Sequence, residues 1–199
     1  LTVSLFIAVA VLAVFAILAN LIKDGTQTWV PTILKETYGL PDSLSILLTL
    51  LLPVLGIFGA LLAVAINRFV KDFVLLSSVL FAATAAFTAL IIIFLGLPYW
   101  ALVTLCFGVI SLLMHSVNNV ITSIAPLYLR DKINTGLLAG LLNGFCYVGS
   151  TVSSYGLGAL SSGDSWNAVF DLFLYCTLGA VVIGVGYFVF TKVKNGKNR

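Results

Sequence analysis

The sequence predicts an all-α membrane protein, a bundle of six transmembrane helices spanning residues 1–199 as a single domain. Two observations predict it. Hydrophobic residues make up 61% of the chain and charged residues 9%, against about 25% charged in soluble domains. A soluble core of this size has no room for so much apolar surface, so the excess must face lipid. The apolar residues are also gathered into six runs parted by short polar connections, and each run can cross a hydrocarbon core that takes about 20 residues. A net charge of +3 is too small and too localised to suggest nucleic acid. The chain opens at Leu1, already inside an apolar run longer than a signal-peptide core, with no small-residue cleavage site behind it. It reads as an excised or processed piece.

The first helix is expected over about residues 2–34, interrupted near Gly25. The second covers 43–67, entered through Pro41-Asp42-Ser43, a helix N-cap pattern. The third covers 73–95, and Gly96-Leu97-Pro98 turns the chain into the fourth, 99–127. The fifth covers 134–160, and Ser161-Ser162-Gly163-Asp164 links it to the sixth, 166–191. The last five are about 22–29 residues long, enough to cross with tilt. Pro53, Gly56 and Gly59 on the second helix and Pro126 on the fourth are kink or helix-end signals, with a gating hinge as a secondary role.

Positive charge sets the expected orientation. Arg68, Lys71, Arg130, Lys132, Lys192, Lys194, Lys197 and Arg199 fall on one side, leaving only Lys35 opposite and Lys23 within the first segment. The positive-inside rule makes that side cytoplasmic, with both termini inside. Trp29, Tyr38, Tyr99, Trp100 and Trp166 fall toward the outer ends, where an aromatic belt is expected.

Polar residues are unevenly spread. On the fourth helix Ser111, His115, Asn118 and Thr122 share one narrow face, and on the fifth Asn143, Tyr147, Ser150 and Ser154 repeat that spacing. Such seams suit a bundle lining a polar cavity. His115, the lone histidine, could bind substrate or relay a proton. Without a second titratable neighbour a hydrogen-bonded tie between helices is the favoured reading. Gly136, Gly140 and Gly144 read first as a surface for close helix approach. Cys106, Cys146 and Cys176 each fall inside a span without metal or disulfide spacing and read as small apolar fillers, so neither metal nor cofactor is implied. An intramembrane serine protease is rejected, because His115 precedes the Ser-rich region and the Gly163-flanked serines lie in a connection. No enzyme is expected.

Lys23 and Asp24 are the most informative pair. They follow a run from Leu1 to Ile22 with no charge, and charge returns only at Lys35-Glu36. An ionisable residue within a span costs about 2.5–3.5 kcal/mol on insertion scales and is a functional hypothesis by default. Spacing alone leaves two readings open: an ordinary helix exit at the interface after Ile22, or a charge pair held inside the membrane.

Residues 22–36 resemble the seventh helix of major facilitator transporters, most closely the organophosphate:phosphate antiporter branch. Gly25, Trp29, Pro31, Thr32, Leu34, Lys35 and Glu36 stand where that branch has a Gly and then Trp-x-Pro-Thr-x-Leu-Lys-Glu. Ala125-Pro126, Gly136, Gly140 and Tyr147-Val148-Gly149-Ser150 are similar to its tenth and eleventh helices. The resemblance covers the whole chain as a C-terminal half, one six-helix half of a major facilitator fold in a bacterial-type inner membrane. It implies a secondary transporter working by alternating access, with an N-terminal half or a second copy as partner. It places Lys23 where the family has a phosphate-gripping arginine, so the first helix would continue past Gly25. Substrate would bind through Lys23, with Gln27, Asn118, Asn143 and Tyr147 as polar contacts. Asp24 and His115 are candidates for coupling. Lys in place of Arg loses the planar fork that holds phosphate bidentately, and Asp24 is a carboxylate where the family has an uncharged residue. The implied solute is therefore anionic or zwitterionic, by exchange or symport. A solute sensor that signals without transport is the rival on the same scaffold.

Overall fold

A computed structural model describes residues 3–161 and 166–196, with side chains described as far as 193. The described residues are almost wholly helical, and six helical spans are long and apolar enough to cross a membrane: Val3–Tyr38, Asp42–Asn67, Phe73–Phe94, Trp100–Tyr128, Thr135–Ser161 and Asn167–Val193. The expected link Ser162-Gly163-Asp164, Lys197 and Arg199 lie outside the described residues.

Helix α1, Val3–Tyr38, runs without a break for 36 residues. The expected interruption at Gly25 is absent. Gly25 serves packing instead: a Cβ there would sit 2.5 Å from Leu157 Cδ1 and 3.1 Å from Phe173 Cζ. Continuation to Tyr38 also removes the reading in which the helix ends after Ile22. Pro31 sits inside the helix. The helix stops at Gly39, whose φ of 63° and N–H bond to the Lys35 carbonyl (2.9 Å) form a left-handed cap.

The second span is divided. Helix α2 is Asp42–Thr49 and α3 is Leu51–Asn67, parted at Leu50. Pro53 explains the parting, since it has no N–H to give the carbonyl four residues back. The expected N-cap is not formed by a side chain: Pro41 occupies the cap position, and the Asp42 carboxylate pairs with Lys35 at 2.9 Å. Helix α4, Phe73–Phe94, is capped by Asp72 Oδ1, which accepts from the N–H groups of Val74 and Leu75.

The fourth span comprises α5 (Trp100–Asn119), a π-helical turn at Val120–Ile124 and α6 (Ala125–Tyr128). The wide turn lies just before Pro126, whose ring would otherwise strike the carbonyl of Thr122. Helices α7, Thr135–Ser161, and α8, Asn167–Gly196, complete the bundle.

Three helix pairs carry most of the packing: α1 with α7, α3 with α5, and α4 with α8. In lipid there is no hydrophobic force between helices, so small residues that let backbones close up decide such pairs. A Cβ on Gly149 of α7 would collide with the Ile17 carbonyl of α1. One on Gly59 of α3 would come within 2.7 Å of the Leu112 carbonyl of α5. One on Gly184 of α8 would collide with Ser78 of α4. Serine hydroxyls add ties, Ser111 Oγ donating to the Leu52 carbonyl (2.9 Å) and Ser116 Oγ to the Gly59 carbonyl (2.8 Å). Between the pairs sit Phe15 against Phe81 and Phe107 against Phe170, at centroid distances of 5.2 and 5.7 Å.

Two expectations about surfaces change. Trp166 is buried, stacked at 5.8 Å on Trp29 and donating its indole N–H to Glu36 Oε2 at 3.0 Å. These two tryptophans tie α1 to the chain before α8. Gly140 and Gly144 of α7 have open space where a Cβ would stand, and at Gly136 only Asn134 Oδ1 comes near, at 3.4 Å. Among the described residues no helix closes on that stripe.

Candidate functional site

Lys23 and Asp24 lie past the middle of α1, about 30 Å along the helix from Val3 and about 22 Å from Tyr38 at 1.5 Å per residue. Both are mostly covered, their side chains 15% and 26% exposed. The Lys23 ammonium donates to Asn20 Oδ1 at 2.7 Å and lies 3.3 Å from Asp24 Oδ1. Asp24 Oδ2 accepts a hydrogen bond from Ser150 Oγ of α7. The carboxylate thus bridges the lysine on its own helix and a hydroxyl on the next.

Asn20 fixes the other side of the lysine. It is 2% exposed, and its amide N–H groups donate to the Ala16 carbonyl and to Asn118 Oδ1 of α5, both at 3.0 Å. Two bound donors leave its oxygen facing Lys23. The Cys146 thiol of α7 also donates to Asn118 Oδ1, at 3.4 Å. Asn118 belongs to the turn just before the π-helical segment, and its backbone carbonyl accepts from Thr122 Oγ1 at 2.8 Å. Helices α1, α5 and α7 therefore meet through one polar cluster: Asn20, Lys23, Asp24, Asn118, Cys146 and Ser150.

The unused hydrogen-bonding capacity of this cluster is informative. Lys23 has three N–H groups and two protein partners, and the Asn118 amide nitrogen makes no hydrogen bond among the described residues. Asp24 has lone pairs to spare, but both its oxygens are already engaged. Free donors beside a buried cation are what a partly desolvated anion needs.

Of the residues singled out from sequence, Lys23, Asp24 and Asn118 come together. Gln27 is half-buried one turn further along α1 and makes no side-chain hydrogen bond among the described residues. Asn143 and Tyr147 are not brought to Lys23. They share an edge of α7 with Ser150 but turn outward, and Tyr147 is 66% exposed. His115 lies over Gly56 and Gly59 at the α3–α5 contact. Its Nδ1 meets the Ser111 carbonyl at 2.8 Å, and since a carbonyl only accepts, Nδ1 carries the hydrogen. The histidine packs two helices together one turn from Asn118.

Sequence reading passed over Asn20 and Ser150 as partners and took Cys146 for a filler. The spacing Asn20-x-x-Lys23 was a usable signal, because residues three apart share a helix face. That Ser150 faces Asp24 depends on how closely Gly149 lets α7 approach α1, which no spacing encodes. A cleft of about 310 Å³ opens elsewhere, near the start of α1, lined among others by Ser4, Asp72, Lys132 and Tyr187, and it does not include Lys23. Among the described residues no group of three or more His, Cys, Asp or Glu side chains could hold a metal ion. Compared with known protein families and with characterised proteins, the sequence matches none.

Proposed function

We infer that this chain is one six-helix half of a secondary transporter of the major facilitator type, moving a small anionic organic solute by alternating access. The observation that carries the inference is the Lys23 ammonium, with donors to spare, held inside a long membrane span where three helices meet. A charge at that depth is expensive and is kept for ions, substrates or proton paths. In this reading Asn118 is a second contact to the anion, while Gln27, Asn143 and Tyr147 make no hydrogen bond to Lys23 among the described residues and would join the site only with a second bundle.

A second six-helix bundle, an N-terminal half or another copy of the chain, completes the site. The outward face of α7 supports this. Asn143, Tyr147, Thr151 and Ser154 are exposed on it beside Gly140 and Gly144, a surface too polar and too flat for lipid alone. The match of Gly25, Trp29, Pro31, Thr32, Leu34, Lys35 and Glu36 to the seventh-helix pattern points the same way. By the positive-inside rule, the basic residues Arg68, Lys71, Arg130 and Lys132 support a reading with both ends of the chain on the cytoplasmic side, and the resemblance supports a bacterial inner membrane.

Each helix satisfies its own backbone hydrogen bonds, so the bundle should fold without the second half. A pathway needs two walls. In liposomes the purified monomeric chain is expected to insert as helix yet carry no anion, and flux should appear only with the second bundle present. Anion flux by a demonstrably monomeric chain would refute the proposal.

A further inference from the structure

We propose that Asp24 is a built-in competitor for the anion site, a tethered carboxylate that occupies Lys23 and must be displaced by whatever binds there. The inference rests on the reading of Lys23 as the anion-binding group. Three features of the geometry carry it. Asp24 Oδ1 is 3.3 Å from the ammonium, so the cation is already partly occupied. Asn20 holds the lysine from the opposite side at 2.7 Å and is itself anchored to α5, so Lys23 cannot swing far to find a ligand elsewhere. Ser150 donates to the other carboxylate oxygen, which gives Asp24 a resting partner on α7 once Lys23 is taken from it.

The consequence is selectivity. A tethered group competes at an effective concentration of millimolar or more, whatever is free in solution. A free monocarboxylate brings to Lys23 the same charge and the same two oxygens that Asp24 brings, without the advantage of the tether. It should lose. A phosphate dianion brings more charge and more acceptors, enough to engage Lys23 and the free Asn118 amide together. Asp24 thus excludes abundant monovalent anions from a site whose lysine, a point charge with no planar fork, has little shape selectivity of its own.

The test is equilibrium binding of inorganic phosphate and of acetate to the intact protein, purified in detergent free of phospholipid. Thermal unfolding of each variant confirms that it is folded. The wild type is expected to bind phosphate and ignore acetate at the same concentration. Asp24→Asn should bind phosphate about tenfold more tightly, the size of one charge-assisted contact, and should now bind acetate. Ser150→Ala removes the resting partner of the displaced carboxylate and should weaken phosphate binding, by less than Asp24→Asn strengthens it. The double variant Lys23→Gln/Asp24→Asn should bind neither. The Asp24→Asn result decides the matter even where wild-type binding is too weak to measure. Weaker or unchanged phosphate binding in Asp24→Asn overturns the proposal, as do tighter phosphate binding in Ser150→Ala and an Asp24→Asn protein that binds neither anion. The transport reading fails separately, by anion flux that persists in Lys23→Gln.

Discussion

Replacing Lys23 with glutamine is expected to weaken anion binding by about 10–100-fold, the worth of a charge-assisted hydrogen bond of about 1.5–3 kcal/mol. Lys23→Arg should retain a good part of the affinity, because charge at this position matters more than shape. The glutamine variant also strands Asp24, leaving a carboxylate in a span without its cation, at a cost of about 2.5–3.5 kcal/mol on insertion scales. Lys23→Gln/Asp24→Asn separates the two effects. It should regain the stability lost by the single variant and still fail to bind. Equilibrium phosphate binding and thermal unfolding, measured on all three proteins, check this. Binding by Lys23→Gln equal to wild type would move the site away from Lys23, toward the Asn143–Tyr147 edge of α7.

The second large effect is structural. Gly149→Ala places a methyl group against the Ile17 carbonyl oxygen, and within 3.0 Å of its carbonyl carbon and of the Leu21 nitrogen. These are backbone atoms in the middle of a helix, so no side chain can rotate away, and α1 and α7 must separate. Overpacking of this kind costs about 1–3 kcal/mol. The separation also pulls Ser150 from Asp24, so this variant should bind phosphate abnormally as well as unfold early. Gly140→Ala, on the same helix but with open space around it, is the control and should stay within about 0.5 kcal/mol of wild type. Thermal unfolding in detergent distinguishes them. Equal stability would mean that α1 and α7 do not pack at Gly149.

The contrast between those two glycines shows what sequence could and could not supply. Six spans were legible because apolar runs of membrane length have few other physical uses, and their ends fall within a few residues of the observed helices. Lys23 stood out for the same reason, as a charge where charge is expensive. What glycine means was not legible. Gly25 read as an interruption and is a packing contact inside an unbroken helix. Gly136, Gly140 and Gly144 read as a close-approach stripe, yet Gly140 and Gly144 face open space and Gly136 meets only Asn134, while Gly149, four residues beyond Phe145, is where α1 actually closes on α7. Each pattern is compatible with a kink, a contact or an exposed face, and only the partner helix decides. Asn20 was overlooked because a lone amide in an apolar run looks incidental until Lys23 and Asn118 are seen on either side of it.

The claim that Lys23 is an interior anion site is tested most directly by the reactivity of its amine. Intact protein would be treated with a small water-soluble acylating reagent, with and without inorganic phosphate, and acylation at each lysine read by mass spectrometry. Lys35, more than half exposed and paired with Asp42 at the end of α1, serves as the internal reference. Lys23 is expected to react more slowly than Lys35 and to be protected further by phosphate, while Lys35 is unaffected. Lys23 reacting as fast as Lys35, with no protection by phosphate, would contradict the account.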